Sequence, residues 1–129
     1  MIHTRDTLFV NEKGHLAIGG ADCVDLAEQF GTPLYVFDER YIRRMMRIYQ
    51  DTINAEYDGH GLVLYASKAF SCEAIYAIAR QEGIGVDVVS GGELYTAKKA
   101  GFPAEKITMH GNNKLPHEIS EALSCGVGM

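Results

Sequence analysis

The stretch LVLYASKAFSC (residues 62–72) carries an apolar, strand-like run into a single lysine, Lys68, and then into a helix-like pattern. An ammonium group at the end of a buried strand is costly to desolvate, so its surroundings must account for its place. Outward from it the chain keeps a rhythm. LVLYA (62–66) leads to a helix whose apolar positions are Ala74, Ile75, Ile78 and Ala79. VDVVS (86–90) leads to a helix from Gly92 to Ala100, closed by Gly101, with Glu93 in its first turn and Lys98 and Lys99 in its last, as the helix dipole prefers. KITMH (106–110) leads to a helix begun by Pro116, with Ile119 and Leu123 on one face; Gly126 ends it, and Val127 reads as the start of a fourth strand.

Strand centres near residues 63, 86, 107 and 127 lie 20 to 23 residues apart. A short strand plus a crossover helix needs that much chain, so the pattern predicts parallel strands in an α/β fold. No GxGxxG follows the first of these strands, and no P-loop lysine motif occurs. A TIM-type (β/α)8 barrel fits the rhythm and takes roughly 250 residues. The 129 residues here hold its first three βα units, a truncated barrel.

An N-terminal arm, residues 1–31, precedes the barrel part, residues 32–129. Residues 8–18 read as a β-hairpin turning at NEKG. Asp22 is placed to N-cap a short helix, with Ala27 and Phe30 inward and Gly31 as its stop. PLYVF (33–37) reads as a strand feeding an amphipathic helix with Ile42, Met45, Met46, Tyr49 and Ile53 on one stripe. Arg40, Arg43, Arg44 and Arg47 lie opposite, either as an anion-binding surface or as a solvated face beside Glu39 and Asp51; the charge pattern favours the second.

A net charge of −5 argues against nucleic acid as the main partner. Cys23, Cys72 and Cys125 are odd in number and lack metal-ligand spacing, which suits reduced thiols in a cytoplasmic protein. His110 and His117 form the one close histidine pair without completing a ligand set, so no metal site is expected. No apolar leader or membrane-length apolar run occurs, so a soluble protein is expected.

Barrel active sites are built at the C-terminal ends of the strands, and Lys68 stands at such an end. A lysine there can be solvated, or, if shielded, can form a Schiff base with a carbonyl, as with pyridoxal phosphate. Asp87 interrupts a run of β-branched residues. It either points inward one strand over from Lys68 or lies outside as a cap or an arginine partner. SGGEL (90–94) is either an anion nest or a tight βα turn. HGNNK (110–114) is either a ligand contact or a turn in which asparagines take left-handed geometry. Tyr65 and Ala66 suit packing, with Ala66 small enough to admit a planar ring.

YASKAFSC (65–72), followed by GVDVVSGGELYTAKKAGFPAEKITMHGNNK (85–114), resembles the N-terminal part of the diaminopimelate decarboxylase family, in the alanine-racemase-like group of pyridoxal-phosphate enzymes. The resemblance runs from TPLYVFDE (32–39) to the last residue. Related basic amino-acid decarboxylases share the lysine box, but KAFS and GNNK fit the diaminopimelate branch better. It implies that Lys68 is the catalytic residue and covalent anchor of pyridoxal 5'-phosphate, with Asp87 near the lysine and ring, Ala66 beside the cofactor and His110 in the pocket. The implied reaction takes meso-diaminopimelate to L-lysine and CO2, in a parent enzyme that is a homodimer. The family's phosphate loop, ring-stacking histidine, acidic partner of the pyridine nitrogen and C-terminal β-domain, which the arm would meet, are expected beyond residue 129. That assigns SGGEL to turn geometry and leaves this portion inactive alone. The other readings are a non-catalytic remnant or assembly module, or a decarboxylase of another basic amino acid.

Overall fold

The computed structural model describes residues 7–129; of the expected arm, residues 1–6 lie outside the described residues. The chain divides into two compact units, Met1–Met45 and Met46–Met129.

In the first unit, β1 (Leu8–Val10), β2 (Leu16–Ile18) and β3 (Ala21–Asp22) form an antiparallel sheet, with Val10 opposite Leu16 across the expected hairpin. Asp22 caps α1 (Cys23–Phe30) as expected, accepting from the N–H groups of Val24 and Asp25, and Gly31 ends it at a φ of 81°. Two expectations fail here. Ala27 is half-buried, but Phe30 is exposed, and no residue of α1 is buried. Residues 33–37 form no strand: a strand is a paired structure, and these residues enter neither sheet of the described chain.

α2 (Glu39–Glu56) buries Met46 from the predicted stripe and half-buries Ile42, Met45 and Ile53, while Tyr49 stays exposed. Three of its four arginines meet partners of this chain. Arg43 pairs with Glu39, Arg47 with Glu82, and Arg44 sits 5.2 Å from the centre of the Tyr41 ring. The solvated-face reading describes them.

In the second unit, β4 (Leu64–Ala66), β5 (Gly85–Val88) and β6 (Ile107–Met109) lie parallel in the order β4-β5-β6. Between them run α3 (Glu73–Gln81) and α4 (Gly91–Lys99), and α5 (Pro116–Ser124) follows β6. The α/β alternation predicted from the rhythm is present. Ile75, Tyr76, Ala79, Leu94 and Ala97 of the helices are buried with Val86, Val88 and Ile107 of the strands. Tyr76 was not among the predicted core positions; its ring meets Phe102 edge to face at 6.4 Å. Gly85 allows close approach: a Cβ there would lie 2.6 Å from Leu64 Cδ2 and 2.7 Å from the Lys106 carbonyl oxygen. Val127 begins no strand, although Met109 N–H donates to the Met129 carbonyl at 2.7 Å.

Candidate functional site

Parallel pairing brings the strand exits together. Ala66 is opposite Asp87, and Asp87 is opposite Thr108. Partners in register project to the same side of a sheet, and alternation sends Val86 and Val88 to the other side, where they are fully buried. Ala66, Asp87 and Thr108 therefore form a row on one face at one rim. The segments carrying Lys68, Val89 and His110 leave the sheet at that rim.

Lys68 does not lie on the strand. β4 ends at Ala66, and Ser67–Ala69 form a single 3-10 turn. The lysine is exposed, and its amine has no hydrogen-bond or ion-pair partner among the described residues. The cost posed by a desolvated ammonium group is thus avoided, since the turn carries the lysine into water and buries its neighbour instead. Ser67 is fully buried. Its hydroxyl lies 2.7 Å from the Asp87 carbonyl oxygen and 2.7 Å from Glu93 Oε2, two acceptors for one proton. On the other flank, the Tyr65 hydroxyl donates to the Phe70 carbonyl at 2.9 Å. Burial pushes that phenol up from its ordinary pKa, so it remains a donor.

Asp87 is half-buried, and its Oδ1 is fully buried without a donor among the described residues. A buried oxygen without a partner is a cost that a ligand N–H or O–H would relieve. His110 is exposed just past β6, held by its backbone N–H to the Val88 carbonyl at 3.0 Å. Asn112 and Asn113 follow without left-handed geometry, since Asp58 is the one described non-glycine residue with positive φ.

The SGGEL turn is filled by the chain's own carboxylates. Ser90 caps α4 by accepting from Glu93 N–H, and Gly91 N–H donates to Glu118 Oε1 at 2.7 Å. Glu118 Oε2 accepts from Leu115 N–H at 2.9 Å. The N–H groups of Leu115 and Gly91 hold this carboxyl below its usual range, against the upward push of burial. A Cβ on Gly91 would stand 3.3 Å from Glu118 Oε1, so glycine keeps the approach open. Glu93 Oε2 accepts from Val89 N–H at 2.6 Å as well as meeting Ser67. Ser67 carries no signal of its own in the sequence, where Glu93 reads only as a dipole partner. The spacing Ser90-x-x-Glu93 is a capping-box signature and could have drawn attention to the reach of Glu93 back along the chain.

Residues 39–129 match the family model for the pyridoxal binding domain of pyridoxal-dependent decarboxylase. The chain belongs to this family. A diaminopimelate decarboxylase of Bacillus methanolicus is 52% identical over 122 residues, which cover 95% of this chain and 28% of that protein. The diaminopimelate decarboxylase of Bacillus subtilis is 51% identical over 119 residues, covering 92% and 27%. Among solved structures, diaminopimelate decarboxylase from M. jannaschii in co-complex with L-lysine superimposes with a TM-score of 0.82 at 38% identity, over 95% of this chain and 29% of that one. AQ1208 from Aquifex aeolicus gives 0.86 at 36% identity, over the same shares. The chain thus spans between a quarter and a third of the length of those relatives. Its α/β arrangement matches part of their fold.

Proposed function

We propose that the chain is the N-terminal portion of a pyridoxal-phosphate-dependent decarboxylase that converts meso-diaminopimelate to L-lysine and CO2. The observation that carries this reading is the orphaned, buried Oδ1 of Asp87 on the same rim as the unpaired, exposed Lys68, in a chain of this family. An acceptor without a donor and an amine without a carboxylate are what residues waiting for a cofactor present. Lys68 Nζ would hold the cofactor covalently. Asp87 would accept a hydrogen bond from the bound group or from the lysine once it is displaced. Ala66, opposite Asp87, would with its single methyl group leave room for a planar ring, and His110 would border the pocket. When bound, the pyridinium ring supplies the sink for the electron pair left as the α-carboxylate departs.

In this reading β4, β5 and β6 are the first strands of a (β/α)8 barrel, and residues 1–31 form an arm on a C-terminal β-domain. The parent is a cytoplasmic homodimer, and the present residues do not turn over substrate alone. The three free cysteines suit a reducing compartment. The choice of diaminopimelate over another basic amino acid is supported by KAFS and GNNK and by the chain's likeness to diaminopimelate decarboxylases.

Titrating the chain with pyridoxal phosphate tests the cofactor reading. A visible absorbance band that disappears in Lys68→Ala is expected. A band of equal strength in that variant, or no band at all, overturns it. The parent should release CO2 from meso-diaminopimelate and not from ornithine or arginine; the reverse preference would overturn the substrate assignment.

A further inference from the structure

The turn that carries Lys68 is gripped from both sides. Tyr65 holds the far end through the Phe70 carbonyl. Ser67, immediately before the lysine, is tied to β5 and to the first turn of α4. The second tie depends on Glu93, whose Oε2 is shared between the Ser67 hydroxyl and Val89 N–H. One carboxylate oxygen thereby joins the exit of β4, the exit of β5 and the start of α4.

That link is not needed to start the helix. Ser90 already caps α4, and Glu118 takes Gly91 N–H. A glutamate placed only for the helix dipole would point its carboxylate at the helix's own N–H groups or at water. Glu93 instead reaches back to Val89 and across to a serine 26 residues earlier. A long lysine side chain is positioned only as well as its backbone, and Lys68 has no side-chain partner among the described residues to hold it.

We propose that Glu93 is a positioning residue for Lys68 and acts through Ser67, fixing the turn from which the amine reaches its carbonyl partner. This rests on the reading that Lys68 anchors the cofactor.

The test is reductive trapping. The chain is incubated briefly with pyridoxal phosphate and borohydride, and the modified lysines are mapped by mass spectrometry. Lys98, Lys99, Lys106 and Lys114 serve as internal references. Wild type should label Lys68 ahead of them. In Ser67→Ala and Glu93→Ala that preference should fall by about tenfold, a modest share of what misplacing a reacting group can cost. Reference labelling and the circular dichroism spectrum should stay the same. Glu93→Gln keeps an acceptor of the same reach for Val89 N–H and Ser67 and should recover most of the preference. The double variant Ser67→Ala/Glu93→Ala should lose no more than either single change, because both cut one link. Thr96→Val is the control, its hydroxyl bonding only to Gly92 of its own helix. If Glu93→Ala does not fold, Ser67→Ala, the smaller cut in the same link, decides.

Folded alanine variants that keep the full Lys68 preference would overturn the positioning role, as would a double variant whose losses multiply. If wild type shows no preference for Lys68, the cofactor reading falls and takes this role with it. If wild type shows the preference and the variants keep it, the positioning role falls alone.

Discussion

Replacing Asp87 by valine should make the chain more stable while weakening its hold on the cofactor. Asp87 Oδ1 is fully buried with no donor among the described residues, on a strand whose flanking residues Val86 and Val88 are themselves fully buried. An unsatisfied buried polar group costs about 1–3 kcal/mol. Aspartate is also a poor strand former beside valine, on a scale spanning about 1 kcal/mol. Both effects favour valine, and its neighbours across the ladder, Ala66 and Thr108, are small enough to take a branched side chain. Asp87 as a whole is only half-buried, so the low end applies. A gain of about 1–2 kcal/mol is expected, which for a small domain is a rise in melting temperature of about 4–8 °C per kcal/mol. Urea titration followed by far-ultraviolet circular dichroism should show a higher midpoint at unchanged slope. Pyridoxal phosphate should then raise the wild-type midpoint by more than the variant's, because a ligand shifts the midpoint in proportion to how tightly it binds the folded state. A variant midpoint at or below wild type without ligand would refute the reasoning, since it would mean the carboxylate already has its partners.

Gly85→Ala should act in the opposite direction. Its Cβ would fall 2.7 Å from the Lys106 backbone oxygen, which cannot swing away, and 2.6 Å from Leu64 Cδ2; a loss of about 1–3 kcal/mol is expected, and an unchanged melting temperature would contradict the packing described. In the first unit, burial pushes the Asp22 carboxyl up. Hydrogen bonds from Asn11, His15 and the N–H groups of Val24 and Asp25 outweigh it and hold the carboxyl well below the usual range. The folded value lies below the unfolded one, so this stabilisation is present above about pH 4 and is lost as the pH falls through the folded value. Amide exchange at Val24, corrected for the intrinsic pH dependence, should lose protection on that acid limb in wild type and show no such limb in Asp22→Ala; equal profiles would sink the assignment.

How much of this was legible depended on distance along the chain. The parallel units could be read because each strand, helix and closing glycine is local, and hydrophobic period needs no partner to be seen. The strands are shorter than the sequence predicts, β4 spanning Leu64–Ala66, β5 Gly85–Val88 and β6 Ile107–Met109, and residues 33–37 form none. Asp22 was legible as a cap because its targets are two and three residues away. The ties that build the site were not. Ser67 meets Glu93 across 26 residues, and Gly91 meets Glu118 across 27. Residue types alone did not give these pairings, and only the spacing Ser90-x-x-Glu93 hinted that one of the four was more than a dipole partner.

The position of Lys68 follows from what the proposed chemistry asks of it. An amine that holds a cofactor must yield it to the substrate's amine and take it back afterwards, so its tip has to move while its origin stays fixed. Placed on β4, the lysine would have its stem packed among the strands, and its charge would be desolvated whenever it was released. Placed on the turn beyond Ala66, its tip is in water, and the constraint passes to the backbone. The fold commits the fully buried Ser67 to that constraint. Ser67 is short, has few rotamers and costs little entropy to fix. The mobile charge and the rigid anchor are thus divided between adjacent residues, which is why a change at Ser67 should be read in the reactivity of Lys68 before it is read in the stability of the chain.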